Sequence, residues 1–583
     1  MTAQSPPPGG AFGIVGLGSV GEVLLRALHA AGHRVVGVDT DDEVLARVAR
    51  RLRADGAAGR PSPVLTGDHA LLRGTDLVVE AVPEERTVKA AALRRITGVC
   101  EPGTPVITTT ATASLTRLAI ATGRPGDLAG LRLFTPPYAG APAEAVRTDL
   151  TSAAAAAALD RLLDAAGLDP VQVGAQPAAD ATALVLRLCN RAAALSDEGY
   201  VTGHAVDTAM RLGCALPAGP LEMLDRIGVD TAHAALSSLY RRTGDRSFAP
   251  APVLARMIGE GRLGRKTGRG FHRWDAAGAL RTGHSSTPDP VAPRPVRRIG
   301  VLGSGAMARG IAEVTAVAGH PTVVVARSTR AAHNALEAVA GSLTRAVRRG
   351  TVTPAARDKA LAVLHGTTRL AALADCDLVI EAVAEDADVK REMFTALGEV
   401  CAPGTVLATT TSSLSVAACA EASGRPADVV GLHFFNPAPV MRLVEIAHTP
   451  ATAPDVTATA RSVCRGLGKT AVECPDRPGF IVNSLLFPYL GEALALLDRP
   501  GADDRVVERT DTAVQRGFGY PMGPFALLDT IGLDVSLAIQ NRLYEHFATE
   551  DHRPSPALAE LVTAGLLGRK NRRGLRTACL PAR

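Results

Sequence analysis

Residues 13–21 read GIVGLGSVG, and residues 300–310 read GVLGSGAMARG. Each stretch joins an apolar, β-branched run to a glycine-rich turn of the G-x-G-x-x-G type and then to a helix-like segment. In a βαβ unit, such a turn lets the backbone approach a pyrophosphate at the helix N-terminus. The stretches therefore predict two dinucleotide-binding folds, whose first glycines, Gly16 and Gly303, lie 287 residues apart.

The rest of the chain repeats as well. Four further islands recur in the same order at offsets of 301 or 304 residues: EAVPEERTVK (80–89) with EAVAEDADVK (381–390), GLRLF (130–134) with GLHFF (431–435), DTAMRLG (207–213) with DTAVQRG (511–517), and LGRK at 263–266 and 567–570. Such a period is too long for a solenoid and predicts a tandem duplication of whole domains. The Pro- and Ser-containing residues 284–296 between the copies are interpreted as a linker.

In each copy, short β-branched runs alternate with helical stretches, and a region of helical periodicity alone follows. This order predicts an α/β Rossmann-type domain with a parallel, doubly wound sheet plus an all-α C-terminal domain, the pair repeated twice. The predicted divisions are a Rossmann-like domain at 10–174 and a helical domain at 175–283 (copy one), the linker at 284–296, a Rossmann domain at 297–474 and a helical domain at 475–583 (copy two).

Composition narrows the function classes. Hydrophobic residues make up 46% and charged residues 21% of the 583 residues, as in soluble globular proteins. The net charge of +5 is small and the arginines are scattered, which argues against nucleic-acid binding. No apolar run suits a membrane span, and the first residues lack a signal pattern. Nine cysteines without CxxC pairs indicate free thiols and no zinc site, so a cytoplasmic location is predicted.

Copy one carries a complete dinucleotide fingerprint. Gly16, Gly18 and Gly21 form the turn, and Asp39 ends the next strand about 20 residues later. An acidic residue at that place accepts a hydrogen bond from the ribose 2′-hydroxyl.

The fingerprint of copy two differs at the ribose end. Its turn positions are Gly303, Gly305 and Ala308. The position of Asp39 is taken by Ala326, followed by Arg327 and Ser328. An acid would repel a 2′-phosphate, whereas Arg and Ser could hold one, so the cofactor is predicted to be NAD or NADP, with NADP tolerated in copy two. Drift of a surface position is the alternative.

Longer motifs in copy two resemble a known family. The motifs are TTTSSL (409–414), GLHFFNPAPVMRLVEI (431–446), PGFIVNSLLFPY (478–489), PMGPFALLDTIGLD (521–534) and the LGRK tail. Together they resemble the 3-hydroxyacyl-CoA dehydrogenase family, most closely its 3-hydroxybutyryl-CoA members. The resemblance implies an oxidoreductase of fatty acid metabolism that interconverts short-chain 3-hydroxyacyl-CoA and 3-oxoacyl-CoA with NAD(P).

The resemblance also implies residue roles. His433 would be the general base in oxidation and the acid in reduction, and Glu445 would orient its ring. Ser412 and Asn483 would bind near the substrate's 3-oxygen. Dinucleotide contacts would come from Glu385, Lys390, Asn436 and Lys570, and CoA contacts from Ser342 and Arg349. Arg345, Arg348 and Arg349 could equally form a solvated helix face, and the residues after Lys570 depart from the family's aromatic ending.

Copy one lacks this machinery. At an offset of 301, Arg132 stands for His433, and an arginine cannot act as a base near neutral pH. Glu144 keeps the acid of Glu445. The other counterparts are Ala111 for Ser412, Thr135 for Asn436 and Thr182 or Ala179 for Asn483. Copy one is therefore predicted to be inactive, holding either a dinucleotide or only the fold.

Several alternatives stay open on sequence grounds. Members of this family usually dimerise through the helical domain, which implies an intramolecular pseudo-dimer or a homodimer, with 220–240 and 524–545 as interface segments. Two independent units on a linker are the alternative. For function, the rivals are a dehydrogenase of carrier-protein thioesters or free hydroxy acids, and a non-catalytic dinucleotide sensor.

Overall fold

The computed structural model describes residues 10–55, 60–110, 113–134, 140–171, 174–275, 278–281, 291–499 and 505–576. The predicted counterparts Ala111 and Thr135, and most of the linker, lie outside these ranges. Across the described residues, each copy contains one eight-stranded sheet followed by a group of helices. This confirms the predicted Rossmann-type domain plus all-α domain, repeated twice, while the domain boundaries stay predictions.

The elements of copy one are numbered in chain order. Its strands are β1 Ala11–Val15, β2 Arg34–Val38, β3 Val64–Thr66, β4 Leu77–Glu80, β5 Val106–Thr108, β6 Leu128–Leu133, β7 Pro142–Val146 and β8 Asp169–Pro170. Its helices are α1 Gly21–Ala30, α2 Asp42–Ala54, α3 Arg86–Val99, α4 Leu115–Ala121, α5 Ala153–Ala165, α6 Ala175–Asp197, α7 Gly203–Gly213, α8 Pro220–Ile227, α9 Val229–Thr243 and α10 Pro252–Gly259.

Copy two follows the same plan. Its strands are β9 Ile299–Leu302, β10 Thr322–Val325, β11 Leu364–Thr367, β12 Leu378–Glu381, β13 Val406–Thr409, β14 Val429–Phe434, β15 Leu443–His448 and β16 Thr470–Pro475. Its helices are α11 Ala306–Val317, α12 Thr329–Arg348, α13 Pro354–Ala362, α14 Ala387–Val400, α15 Val416–Ala422, α16 Pro454–Gly466, α17 Val482–Leu494, α18 Val506–Phe518, α19 Pro524–Ile531, α20 Leu533–Phe547 and α21 Pro556–Thr563.

Strand order explains where each site forms. The sheets run β3-β2-β1-β4-β5-β6-β7-β8 and β11-β10-β9-β12-β13-β14-β15-β16. Pairing is parallel except between β6 and β7 and between β14 and β15. The order reverses beside β1 and β9, and such a switch point opens a crevice at the carboxyl ends of the strands. Antiparallel pairing of β14 with β15 places His433 directly opposite Glu445.

The helical domains of the two copies pack against each other. Helix α6 of copy one lies against α17 and α18 of copy two, and one cluster of buried apolar residues runs through both domains. Ion pairs join them: Arg191 Nη2 lies 2.8 Å from Glu492 Oε1, and Arg499 Nη1 lies 2.6 Å from Asp180 Oδ1. As an interface within the chain, the predicted segments 220–240 (α8–α9) and 524–545 (α19–α20) were wrong, because they pack mainly inside their own copies. Their part in a homodimer stays a prediction.

The packing is approximately symmetric. A Cβ atom on Gly213, at the end of α7, would lie 3.3 Å from Phe435 Cε1 of copy two. A Cβ atom on Gly517, at the same place in α18, would lie 2.4 Å from Phe134 Cδ1 of copy one. Glycine thus allows the close approach of helix to ring on both sides.

Each tail is held by a buried aspartate. Asp225 accepts hydrogen bonds from the backbone of Phe271 and His272, each at 2.8 Å, and from Trp274 Nε1 at 3.0 Å. Asp529 accepts the equivalent bonds from Leu575 and Arg576, each at 2.8 Å. The hydrogen bonds to Asp225 and Asp529 fasten each LGRK segment, with the residues that follow it, to its own helical domain.

In copy one, the residues after LGRK also form a titratable pair between His272 and Asp207. His272 Nε2 lies 2.6 Å from Asp207 Oδ2, and Asp207 also caps α8. Burial disfavours the imidazolium, but the hydrogen bond and charge of Asp207 outweigh it and raise the pKa of His272. In copy two the matching position is Arg576, 3.6 Å from Asp511.

We expect this pair to make stability depend on pH. Because the pKa of His272 is raised in the folded state, the stabilisation from this pair is complete below the unfolded-state pKa of about 6.5. The stabilisation is lost as the pH rises through the folded-state pKa. His272→Gln should remove that part of the slope when the thermal midpoint is measured from about pH 6 to about pH 9, whereas the control His204→Gln, at an exposed histidine, should keep it. Equal slopes in both variants would contradict the assignment.

No helix in the described ranges is long and apolar enough to span a bilayer. The eight cysteines of the described part are free thiols, in agreement with the prediction.

Candidate active site

The predicted base and acid of copy two are in contact. His433 Nδ1 lies 2.7 Å from Glu445 Oε2, and both side chains are buried. The other oxygen of Glu445 accepts hydrogen bonds from the backbone of Ile481 (3.1 Å) and Val482 (2.9 Å) at the N-terminus of α17. Two backbone donors and the N-terminus of a helix thus meet at this carboxylate. Glu445 is therefore suited to hold one ring nitrogen, which leaves Nε2 for proton exchange.

Aromatic rings enclose the imidazole. The ring centroids of Phe435 and Phe480 lie 4.6 and 5.5 Å from that of His433. Phe480 has a φ of +47°, an unfavourable left-handed conformation for a bulky residue. The sequence did not single out Phe480, because its role depends on this backbone geometry.

Ser412 and Asn483 lie together at the carboxyl end of β13. The Nδ2 atom of Asn483 lies 3.5 Å from the carbonyl oxygen of Ser412. The backbone N–H and hydroxyl of Ser412 donate to Glu385 Oε1, at 2.8 and 3.2 Å. Strand β13 pairs with β14, which carries His433, so these polar groups and the imidazole share one edge of the sheet.

A buried cluster supports Glu385. Lys390 Nζ lies 2.8 Å from Glu381 and 3.5 Å from Glu385, and the side chains of Lys390 and Glu381 are almost completely buried. Burial acts to raise the pKa of Glu385, but the charge of Lys390 and the hydrogen bonds from residues 411–413 lower it overall. Lys390 thus faces inward and Glu385 forms the accessible edge of the cluster. Copy one keeps this arrangement, with Lys89 Nζ 3.0 Å from Glu80.

Both glycine turns have room for a pyrophosphate. Gly303 has a φ of +133°, and a Cβ atom there would lie 2.3 Å from the carbonyl oxygen of Ala382. By contrast, Cβ atoms on Gly305 and on Gly18 would meet no atom within 4 Å. The second glycine of each turn therefore faces open space beside a helix N-terminus, as a bound dinucleotide requires.

The third fingerprint position is Gly21 in copy one and Ala308 in copy two. In copy one, a Cβ atom on Gly21 would lie 1.8 Å from Gly16 O, so the close packing demands glycine. Ala308 of copy two is fully buried in the first turn of α11.

The ribose ends of the two crevices differ as well. Asp39 of copy one accepts a hydrogen bond from the Leu17 backbone at 2.7 Å, which fixes its carboxylate beside the turn. In copy two, Ala326 is buried, Arg327 is exposed, and the Ser328 hydroxyl accepts from the Ala331 backbone at 3.2 Å as the N-cap of α12. The second crevice therefore lacks an acid at this position and has an exposed arginine next to it.

The other predicted contacts lie outside the dyad. Ser342 lies beside Glu313, whose pKa is raised by burial against the effect of the Ser342 hydrogen bond. Arg349 is exposed at the end of α12, and Asn436 is exposed after β14. Lys570 Nζ donates to Asp534 Oδ2 at 2.7 Å, at the start of α20. The roles of these residues stay predictions.

Lys469 is a residue that sequence reasoning missed. Its Nζ donates to the carbonyl oxygens of Ala438 (2.5 Å) and Met441 (2.8 Å). It therefore holds the turn that connects His433 to Glu445. Its only sequence signal is a lysine after Gly468, which is more typical of a solvated turn.

Copy one has an ion pair where copy two has the dyad. Arg132 lies opposite Glu144 across β6 and β7, in the register that His433 and Glu445 share. Arg132 Nη1 lies 3.0 Å from Glu144 Oε2, and both side chains are buried. The guanidinium cannot exchange a proton near neutral pH.

Comparison with known proteins decides the family. The model of the 3-hydroxyacyl-CoA dehydrogenase NAD binding domain matches residues 11–176 and 298–477, and that of the C-terminal domain matches 181–274 and 479–578. The chain belongs to the 3-hydroxyacyl-CoA dehydrogenase family. The repeated matches also confirm the tandem duplication.

Individual relatives match about half of this family member. A 3-hydroxybutyryl-CoA dehydrogenase of Mycobacterium tuberculosis is 43% identical over 286 residues, covering 48% of this chain and 98% of its own. Human mitochondrial hydroxyacyl-coenzyme A dehydrogenase is 39% identical over 295 residues, covering 48% of this chain and 90% of its own. The crystal structure of 3-hydroxybutyryl-CoA dehydrogenase from Escherichia coli K12 covers 95% of this chain and 99% of its own, with a TM-score of 0.55 and 22% identity, which shows a shared fold.

Proposed function

We propose that copy two interconverts short-chain 3-hydroxyacyl-CoA and 3-oxoacyl-CoA, and that copy one is catalytically inactive. The observation that carries the proposal is the His433–Glu445 pair, anchored by two backbone N–H groups, in the register where copy one has Arg132 and Glu144. A proton acceptor at this position is what alcohol oxidation requires.

The residues have distinct tasks in this reaction. In oxidation, the proton of the substrate's 3-hydroxyl passes to His433 Nε2, and Glu445 stabilises the imidazolium that forms. In reduction the same nitrogen returns the proton. Ser412 and Asn483 orient the 3-oxygen toward the imidazole. The chemistry that a nicotinamide dinucleotide supplies, when bound at Gly303 and Gly305, is hydride exchange with C3.

The CoA moiety is assigned to the end of α12. Arg345, Arg348 and Arg349 are exposed on its last turn and after it, a surface that can pair with phosphates. The alternative substrates, a carrier-protein thioester or a free hydroxy acid, would make no use of this surface unless they carried phosphate there.

The test is oxidation of NADH and NADPH with acetoacetyl-CoA. We expect turnover of acetoacetyl-CoA and a markedly higher KM for the N-acetylcysteamine thioester, which lacks the nucleotide. Equal KM values would favour a substrate without CoA. Absence of turnover with either cofactor, from protein shown by circular dichroism to be folded, would refute the proposed function.

We propose that NADP(H) is accepted because copy two lacks an acid at the ribose. Ala326→Asp should lower the ratio of kcat/KM for NADPH to that for NADH by about tenfold or more, because a carboxylate repels the 2′-phosphate. Arg327→Ala should weaken NADPH alone. Initial rates with both cofactors check this, and an unchanged ratio in both variants would refute the assignment.

We also propose that the two copies form an intramolecular pseudo-dimer. Supporting contacts are the shared apolar cluster and the Arg191–Glu492 and Arg499–Asp180 ion pairs. After cleavage at a protease site introduced into residues 284–296, the halves should co-elute in size-exclusion chromatography. Separation of the halves would favour independent units.

A further inference from the structure

Copy one contacts the segment of copy two that holds Glu445. The Tyr200 hydroxyl, in the connection between α6 and α7, donates to the carbonyl oxygen of Pro475 at 2.9 Å. The neighbouring Glu198 accepts from Arg477 Nη1 at 3.0 Å, and the Arg477 guanidinium stacks 4.9 Å above the Tyr200 ring. Copy one thus fastens the start of segment 475–482.

The end of the same segment carries the donors to Glu445. Ile481 and Val482 donate their backbone N–H groups to Glu445 Oε1. Between the two ends, Phe480 keeps its left-handed φ of +47°. A strained conformation of this kind persists only where surrounding contacts over-determine it. The position of both donors therefore depends on what holds the segment.

Helix α7 of copy one supports the segment from a second side. A Cβ atom on Gly213 would lie 2.9 Å from Val482 Cγ2 and 3.0 Å from Leu443 Cδ2. The next residue, Cys214, is partly buried, and burial first, and then the charge of Glu445, raise the pKa of its thiol to about 12. Helix α7 thus ends against the first residue of α17, one of the two donors to Glu445.

We infer that copy one positions the catalytic dyad of copy two. Tyr200, Glu198 and Gly213 are positioning residues that act through segment 475–482 on Glu445, and through Glu445 on His433. The inference rests on the proposed function of copy two. It gives the inactive copy a task in the reaction, through contacts that its own degenerate site does not require.

The approximate symmetry of the molecule supplies a matched control. Gly517 of α18 approaches Phe134 of the inactive copy as Gly213 approaches copy two, and a Cβ atom there would be even more crowded, at 2.4 Å. Gly213→Ala and Gly517→Ala therefore place the same methyl group in equivalent interfaces. Only the first crowds the side chain of Val482, a residue whose backbone N–H donates to Glu445.

The experiment compares both variants with the full unmodified chain. Gly213→Ala should lower kcat about tenfold, because a displaced catalytic group loses much of its rate advantage. KM should stay within about twofold, and the acidic limb of the kcat–pH profile for oxidation should move to lower pH, because Glu445 supports the imidazolium less. Gly517→Ala should lose thermal stability but keep kcat and the pH profile.

Tyr200→Phe is a second test variant that we expect to keep the fold, because it removes only one hydroxyl. It should lower kcat about threefold, with the same direction of change in the pH profile. The inference is overturned if Gly213→Ala and Tyr200→Phe keep the unmodified pH profile, or if Gly517→Ala lowers kcat as much as Gly213→Ala.

A readout that does not depend on turnover separates failure of this inference from failure of the proposed function. If the unmodified chain shows no turnover, the proposed function fails, and the titration of the His433 ring is followed by NMR in histidine-labelled protein, assigned with His433→Asn. Gly213→Ala should still lower the titration midpoint, and Gly517→Ala should not. Equal midpoints in all three proteins would overturn the positioning role by itself.

Discussion

We expect His433→Ala to lower kcat for acetoacetyl-CoA reduction by about 10³-fold or more, because general acid–base catalysis contributes about 10²–10⁴-fold and this variant removes the proposed proton donor. We expect no substitution by Glu445, since its carboxylate accepts hydrogen bonds from two backbone N–H groups and is fully buried. Initial rates at saturating cofactor and substrate measure the loss. Binding of reduced cofactor, followed by fluorescence, should remain within about twofold.

The control for this variant is His365→Ala. His365 is exposed on β11, at the far edge of the same sheet. It should leave kcat and KM unchanged, which separates removal of the base from loss of any histidine. Full activity in His433→Ala would refute the proposed role of copy two. Loss of activity in His365→Ala would show that the assay responds to disturbed folding and not to removal of the base.

Arg132→Ala should destabilise copy one by about 3–5 kcal/mol, since it leaves the Glu144 carboxylate buried without the guanidinium. Both side chains are nine-tenths buried or more. Urea unfolding followed by circular dichroism measures the change in the free energy of unfolding. A loss below about 1 kcal/mol would contradict the assignment of Arg132 and Glu144 as a mutually dependent pair.

The double variant Arg132→Met with Glu144→Leu tests the same pair without isolating a charge. Replacing a buried ion pair by apolar side chains of similar volume is commonly neutral or stabilising. We therefore expect most of the stability to return and the activity of copy two to be retained. Loss of turnover at full stability would mean that the pair takes part in the reaction.

Local sequence patterns predicted the parallel core of each sheet. The strands β1, β2, β4 and β5 are mainly apolar because parallel strands are buried on both faces, and each of the last three carries one polar or charged residue at an end. The same patterns could not locate the inter-copy interface. Hydrophobic periodicity indicates that a helix is buried but not which partner buries it. The segments containing α8, α9, α19 and α20 were therefore assigned to an interface within the chain that α6, α17 and α18 form instead.

The site was predictable only in part, for a related reason. His433 and Glu445 lie in one motif, so the resemblance to a known family could identify both residues at once. Lys469 and Tyr200 act on the site through backbone carbonyl oxygens, which carry no residue-type signal. Tyr200 and Pro475, moreover, are 275 residues apart. Contacts of this kind become visible only when the fold brings the segments together.

The near-symmetric pairing of Gly213 with Phe435 and of Gly517 with Phe134 has a genetic consequence. In an assembly of two identical chains, one substitution alters both sides of the axis. Here one reading frame encodes the two sides separately, so each can change alone. His433 and Arg132 can therefore occupy equivalent positions in one molecule, and selection can act on one half for its chemistry and on the other for its surface.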